Sequence, residues 1–371
     1  MLPYFLLLFI SAVFPLMFYY FKGNSVVHYS RRNMLQDSNK LMLIIFFVGL
    51  FILLSLRDIS VGTDLIEYKI IFERCSIVQV SELKELRWEI GYTFYNKLIS
   101  LISNEYRVFL IVTAFIVILP IYKFYSKEKK YIFLLIVLFI NMPCFLMIFS
   151  GLRQAIATSI GIFAYMAIEN KKNIRGILLI FLAAAFHVSA FVLFLLFPAF
   201  YLKIKVKHLI YIIPMLIAVY IFRIPIFGFI ISLVPSNYSE FYGKIQQTGA
   251  FGMMLLFLVF LTFAFVILDE SIMSKKDYCM RNILLIATVF QFFVPIHSLV
   301  QRASYYFLIF VPVAIISVVQ APKRKLKNIS DMAVVVMSCF FVLYFFYNAI
   351  FSTDNLLNVF PYRFFWSGVS W

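Results

Sequence analysis

Charged residues are scarce in this chain of 371 residues, at 13%, whereas hydrophobic residues make up 64%. Soluble domains carry roughly 25% charged residues, so the composition excludes a water-soluble fold. The apolar residues form continuous blocks that are long enough to cross a bilayer, and they lack the alternation of a membrane β-barrel. The composition therefore predicts an all-α polytopic membrane protein, with residues 1–371 forming a single membrane domain.

Cysteine is also scarce, and the four cysteines form neither a CxxC pair nor a metal-binding spacing. No disulfide framework and no structural zinc site follow from these cysteines, and a Cys75–Cys144 bridge is the one pairing left open. The sequence contains no DxD motif and no cluster of histidines and carboxylates typical of a metal centre. We therefore expect a protein that uses no metal and no cofactor.

Acidic residues are few beside the basic ones, which gives a formal net charge of +16. In a soluble protein this excess would suggest binding to nucleic acid. In a membrane protein the positive-inside rule explains it, and we predict no nucleic-acid partner.

The hydrophobic blocks predict about 12 transmembrane segments, the first of which, 2–21, lacks a basic leader and is interpreted as a retained helix instead of a signal peptide. The stretch 176–202 is long for one helix and short for two, so we predict broken helices there, meeting near His187. The predicted segments are 2–21, 41–56, 106–122, 131–149, 152–168, 176–187, 189–202, 208–223, 251–269, 283–299, 303–320 and 332–350.

Most of the 33 Lys and Arg residues fall in alternate loops, which we assign to the cytoplasm. Both termini and the long loop 57–105 are then external. The segment 224–250 begins apolar and is bounded by proline, which is typical of an external re-entrant or interfacial segment.

Isolated arginines lie near the predicted external ends of helices, at Arg57, Arg153 and Arg302. Arg153 opposes the helix dipole at the start of "LRQAIATSI", and an unpaired charge in a membrane helix costs roughly 2.5–3.5 kcal/mol, so a nearby anion is expected. Guanidinium groups match phosphate oxygens, and we predict that the three arginines, with the neighbouring Gln154 and Gln301, form a phosphate-binding site. The alternatives are a structural ion pair or snorkelling to lipid headgroups for Arg153, a headgroup anchor for Arg302, and neutralisation by the adjacent Asp58 for Arg57.

His187 interrupts the apolar run "AAAFHVSAF". A neutral imidazole can accept a proton from an attacking hydroxyl at neutral pH, which makes His187 the first candidate for a general base. The alternative is a packed histidine that is hydrogen-bonded within the fold.

The external loop 57–105 is predicted to be helical and carries carboxylates and aromatic residues. Asp64 and Glu89 are further candidates for acid–base catalysis, and Trp88 and Tyr92 for binding sugar rings. An amphipathic helix lying on the membrane is the alternative explanation for the same residues.

These features occur in the order "SLRDISVGTDLIEY", "ELRWEIGYTFYNKLISLIS", "FSGLRQAIATSI", "FLAAAFHVSAF" and "QRASYYF". Together they resemble the EpsG/Wzy family of polysaccharide polymerases, over roughly residues 45–320. The resemblance implies a glycosyltransferase of the bacterial inner membrane, with its active site facing the periplasm or exterior. Such enzymes join undecaprenyl-pyrophosphate-linked oligosaccharide repeat units into O-antigen, capsular or exopolysaccharide chains.

The implied partners are the lipid-linked oligosaccharide, membrane lipid, and a chain-length regulator and flippase of the same pathway. Three alternatives remain open: a flippase for the same lipid-linked sugar, an O-antigen ligase and an acyltransferase. The isolated charges gather on one predicted face, and no inverted repeat is evident, which favours the enzyme over the flippase.

Overall fold

The computed structural model describes residues 2–25, 31–86, 88–232, 250–320, 322, 326–351 and 356–367. Within these ranges the chain is helical apart from short connections, and the only β pairings are two isolated bridges. The prediction of an all-α polytopic membrane fold is confirmed.

The helices follow one another along the whole described chain. The α-helices are α1 (Leu2–Ser25), α2 (Arg31–Leu56), α3 (Leu65–Ile77), α4 (Ile90–Ser100), α5 (Tyr106–Tyr125), α6 (Ile132–Asn141), α7 (Pro143–Ser150), α8 (Leu152–Glu169), α9 (Asn173–Phe186), α10 (Leu196–Tyr201), α11 (Leu209–Ile221), α12 (Arg223–Ser232), α13 (Ala250–Val266), α14 (Lys275–Phe293), α15 (Ser298–Leu308), α16 (Val311–Gln320) and α17 (Lys327–Phe351). Short 3₁₀ helices cover Val80–Glu85, Val188–Leu195, Val206–His208 and Leu356–Asn358.

The chain divides into two compact units. The first comprises Met1–Ala167, Lys172–Phe191 and Val334–Trp371, and the second Ile168–Lys171 and Val192–Ala333. Whether the two units form the single membrane domain predicted from the sequence stays a prediction.

Four helices of the described chain are long and apolar enough to cross a membrane, or up to seven spans if each of three bent helix pairs counts as one. The protein is therefore a multi-pass membrane protein. The sequence-based number of about 12 is larger because it includes shorter apolar helices, among them α9 and α13. The four long spans are Leu2–Tyr20, Asn33–Leu56, Tyr106–Tyr125 and Asn328–Phe351.

Two predictions of a single helix are wrong in detail, because the structure divides each segment into two helices. The predicted helix 131–149 consists of α6 and α7, bent by 64° at Met142 and Pro143. Proline cannot donate the backbone hydrogen bond that would continue α6, and it favours the extended conformation that Met142 adopts. The predicted helix 303–320 consists of α15 and α16, bent by 43° ahead of Pro312.

The predicted break within 176–202 is confirmed. Helix α9 ends at Phe186, and His187 has the extended conformation, with φ −157° and ψ 114°. A 3₁₀ helix and the short α10 follow it. Of the predicted re-entrant segment 224–250, the first part is helical in α12, and residues 233–249 lie outside the described residues.

The helical character of the loop 57–105 is also confirmed. Helices α3 and α4 pack against each other and against α5, with Leu65, Phe72 and Tyr92 fully buried. The opposite face of α4 carries exposed apolar residues, including Ile90 and Phe94. An outward apolar stripe is typical of a helix in contact with lipid. The amphipathic-helix interpretation and the site hypothesis therefore concern opposite faces of the same helix.

The C-terminal segment 356–367 is hydrogen-bonded to the loop that follows α2. The backbone N–H of Asp58 donates to the carbonyl of Arg363 at 2.9 Å, and that of Thr63 to Leu357 at 3.0 Å. Arg57 forms an isolated β-bridge with Phe364. Residues far apart in the sequence thus hold the loop from Arg57 to Asp64 in place.

Candidate active site

A close contact between α4 and α9 brings the two halves of the site together. A Cβ atom on Gly91 would lie 2.6 Å from the carbonyl oxygen of Ala185, which is shorter than real Cβ contacts. Glycine is therefore required at this position for the helices to approach so closely. The contact places Glu89, at the start of α4, beside His187, at the end of α9.

Glu89 connects His187 to Arg153. Its Oε1 atom is 3.0 Å from His187 Nδ1, and its Oε2 atom accepts a hydrogen bond from Arg153 Nη1. The side chains are 14% exposed for His187 and 19% exposed for both Glu89 and Arg153. All three residues belong to the first unit, and they form a partly buried chain of hydrogen bonds that we call the Arg–Glu–His triad.

The carboxylate of Glu89 fixes the tautomer of His187. An ionised carboxylate only accepts hydrogen bonds, so the proton of a neutral imidazole resides on Nδ1. The structure gives Nε2 no hydrogen bond to a described residue. Nε2 is then the nitrogen that is available to accept a proton from a substrate.

The pKa of Glu89 is lowered to about 2 from an ordinary value of 4.5. Burial alone raises this pKa, but the hydrogen bond from His187 and the positive charge of Arg153 outweigh the effect of burial. Glu89 consequently stays ionised at neutral pH. It is poorly suited to act as the general acid or base, and well suited to orient His187 and to stabilise its protonated form.

Arg153 is placed by the break between α7 and α8. Helix α7 ends at Ser150, and Arg153 lies in the first turn of α8. Its guanidinium carbon is 4.0 Å from the centroid of the Trp88 ring, and it also interacts with the hydroxyl of Tyr68. Arg153 Nε is buried without a hydrogen-bond partner among the described residues. Glu89 is the anion that pairs with Arg153, as expected for a charge at this position.

Aromatic residues form one wall beside the triad. The ring centroids of Tyr68 and Trp88 are 6.0 Å apart, and those of Tyr68 and Tyr92 are 5.6 Å apart. Trp88 is half-buried, whereas Tyr92 and Tyr68 are buried. Burial raises the pKa of both tyrosines, so their hydroxyls remain protonated. Of the aromatic residues predicted to bind sugar, only Trp88 is open to a ligand in this conformation.

Asp64 lies at the edge of the same cluster. It precedes α3, and its backbone N–H donates to Ser150 Oγ at 3.3 Å. Gly62 has φ +116°, and a Cβ atom there would lie 2.3 Å from the carbonyl oxygen of Phe149, so the loop packs tightly on the end of α7. Asp64 interacts electrostatically with Tyr68. The structure therefore places Asp64 near the triad without a direct bond to His187.

Arg57 is buried, whereas the sequence-based prediction placed it in an open cavity. It is 2% exposed, and it lies over the ring of Phe149 at 5.6 Å beneath the C-terminal segment. Burial lowers its pKa to about 10. Its Nε and Nη1 atoms have no hydrogen-bond partner among the described residues. Tyr106 interacts electrostatically with both Arg57 and Tyr68, which connects Arg57 to the cluster indirectly.

The other predicted residues are not part of the triad. Gln154 is buried on α8 beside Arg153. Gln301 and Arg302 lie on α15 in the second unit, where Arg302 is exposed. The shared pyrophosphate site of Arg57, Arg153 and Arg302 therefore stays a prediction.

Tyr68 and Ser150 are the contributors that sequence reasoning missed. Tyr68 lies four residues after Asp64, the residue that precedes α3, and its backbone N–H donates to the carbonyl of Asp64 at 3.1 Å, so this one-turn spacing is a signal that could have identified it. Ser150 precedes Gly151 and Arg153 in "FSGLR", but its contact with Asp64 spans 86 residues and leaves no local signal. Within the described residues, no group of three or more His, Cys, Asp or Glu could hold a metal ion, and metal independence stays a prediction.

Residues 40–364 match the sequence model of the EpsG family. The chain belongs to the EpsG family. The match spans both units and includes every residue of the Arg–Glu–His triad. Family membership supports a role of the polysaccharide-polymerase type and a glycosyltransferase-like activity. No curated protein and no solved structure matches the chain significantly.

Proposed function

We propose that this EpsG-family protein joins undecaprenyl-pyrophosphate-linked oligosaccharide repeat units into O-antigen, capsular or exopolysaccharide chains. The observation that carries the proposal is the Arg–Glu–His triad. It places a base with a free nitrogen beside an arginine that can receive a phosphate group. The proposed reaction needs both functions within one site.

His187 acts on the acceptor in this reaction. Its Nε2 atom takes the proton of an acceptor hydroxyl while the hydroxyl oxygen forms a bond to the anomeric carbon of the donor sugar. The imidazolium that forms is stabilised by the ionised Glu89 at 3.0 Å. The proton leaves His187 for solvent or for the departing phosphate, which restores the neutral imidazole.

Arg153 acts on the leaving group. As the bond between the anomeric carbon and the pyrophosphate oxygen breaks, negative charge develops on the pyrophosphate. Glu89 and the Tyr68 hydroxyl contact part of the Arg153 guanidinium, and the remaining N–H groups bind the phosphate oxygens in this proposal. Trp88, on which Arg153 stacks, holds the guanidinium plane in position. The donor is already activated, so the reaction requires no nucleotide sugar, and we propose that it also proceeds without a metal ion.

We place this site on the periplasmic or exterior face of the bacterial inner membrane. The assignment rests on the excess of Lys and Arg in the alternate loops. A flippase would supply the lipid-linked units on that face, and a chain-length regulator would limit the polymer.

Reconstitution of the purified protein into bilayers tests the proposal. With synthetic undecaprenyl-pyrophosphate repeat units as the sole substrate, the wild-type protein should produce a ladder of polymers on a gel, and His187→Ala should not. An O-antigen ligase would require a lipid A core acceptor, and a flippase would move the substrate without changing its length. Product of a single repeat unit in the wild-type reaction would overturn the proposal.

A further inference from the structure

The second unit contains a groove that suits a hydrocarbon chain. The groove has a volume of about 480 Å³ and runs between α11 and α13, with Phe292 of α14 at its floor. Apart from Tyr220 and Thr262, its lining residues are aliphatic, methionine or phenylalanine. The hydroxyl of Thr262 already donates to the carbonyl of Leu258 at 2.8 Å. The groove is thus chemically unsuited to sugar and suited to lipid.

Arg223 lies next to Tyr220, which is one of the residues that line the groove. The guanidinium carbon of Arg223 is 4.1 Å from the centroid of the Tyr220 ring, and that ring packs edge-on against Phe292 at 5.5 Å. Arg223 forms no salt bridge with a carboxylate of the described chain. An apolar groove with a guanidinium beside one of its lining residues matches an amphiphile with an anionic head and a long apolar chain.

We infer that this groove binds the isoprenoid chain of a polyprenyl diphosphate, with the diphosphate at Arg223. The inference rests on the proposed function, which brings two lipid carriers to the protein at once and therefore needs a lipid site in addition to Arg153. A groove of about 480 Å³ holds only a few five-carbon isoprene units. The remainder of the chain lies in the bilayer.

Photo-crosslinking tests the inference on the full-length protein in phosphatidylcholine nanodiscs. The probe is undecaprenyl diphosphate carrying a diazirine on its third isoprene unit, and labelled peptides are mapped by mass spectrometry. We expect labelling on α11 and α13 that unlabelled undecaprenyl diphosphate reduces by about tenfold and that an equal amount of phosphatidylglycerol leaves unchanged.

Two variants that fill the groove provide the matched comparison. Leu258→Trp and Ile213→Trp each place an indole in the groove and should lower the labelling by about fivefold or more. Leu255→Trp, on α13 but exposed and outside the groove, should not. Ile213 is half exposed, so its variant tests the site even if Leu258→Trp does not fold. Arg223→Gln should raise the concentration of undecaprenyl diphosphate needed for competition by about tenfold.

Three results would overturn the inference: no labelling on α11 and α13, equal competition by phosphatidylglycerol, and unchanged labelling in both tryptophan variants. The second result would identify the groove as a site for bilayer phospholipid. The assay contains no sugar, so it is independent of polymer formation. Arg153→Ala should keep the labelling while it loses polymer, which separates a failure of the groove from a failure of the proposed function.

Discussion

The carboxylate of Glu89 lies 3.0 Å from Nδ1 of His187, although 98 positions separate the two residues in the sequence. This contact places the proton of the neutral imidazole on Nδ1 and leaves Nε2 for the acceptor hydroxyl in the proposed reaction. The same contact indicates that Glu89 orients His187 and does not itself serve as the acid or base. Variants of Glu89 and Gly91 should act through this relationship and through the packing of α4 on α9 that creates it.

Replacement of Glu89 by Gln should lower polymer formation by about a hundredfold or more. The amide keeps the shape of the side chain but removes the charge that stabilises protonated His187, and its NH₂ group can reverse the tautomer. The rate is measured with reconstituted protein at saturating repeat unit. Glu73→Gln on the exposed face of α3 is the control and should retain the wild-type rate. Equal rates for Glu89→Gln and wild type would remove Glu89 from the mechanism.

Stability should also depend on pH through Glu89. Its pKa is lowered from 4.5 to about 2 in the folded protein, so its stabilising contribution is fully present above pH 4.5 and is lost as the pH falls toward 2. The lowered pKa corresponds to at most about 3 kcal/mol. Thermal unfolding in detergent should show wild type more stable than Glu89→Gln at pH 6, with the difference shrinking between pH 4.5 and 2. A difference that stays constant over this range would contradict the assigned pKa.

Arg153→Ala should abolish the polymer while protein abundance in the membrane stays close to wild type. Arg153→Lys should also be strongly impaired, because an ammonium group keeps the charge but not the planar fork that contacts Glu89 and stacks on Trp88. The measurement is polymer length on a gel, together with immunoblotting of the protein. Arg74→Ala, on an exposed position of α3, is the matched control. Long chains produced by Arg153→Ala would exclude Arg153 from the pyrophosphate site.

The sequence alone was sufficient to predict the all-α membrane fold, because continuous apolar blocks have few alternative structures in a bilayer. It also located the break at His187, since the apolar run 176–202 fits neither one span nor two. The bends at Pro143 and before Pro312 were missed, although proline is a local signal that could have revealed them.

The partner of Arg153 could not be read from the sequence. Glu89 is 64 residues away, and the pairing results from the packing of α4 on α9 and from the break before α8. The burial of Arg57 could not be predicted from the sequence either, because the segment that covers it, 356–367, is about 300 residues away. Local patterns thus drew attention to Glu89, Arg153 and His187, whereas the contacts among them depend on tertiary structure.

The close approach of α4 to α9 gives the last prediction. In Gly91→Ala the new methyl group would lie 2.6 Å from the carbonyl oxygen of Ala185, so the two helices must separate. Separation lengthens the contact between Glu89 and His187, and we expect turnover to fall by about tenfold or more with little change in the amount of folded protein. Gly252→Ala on α13 is the matched control, because nothing lies within 4 Å of its added methyl group. If Gly91→Ala keeps full activity, the position of His187 relative to Glu89 does not limit the reaction, and the Arg–Glu–His triad loses its proposed role.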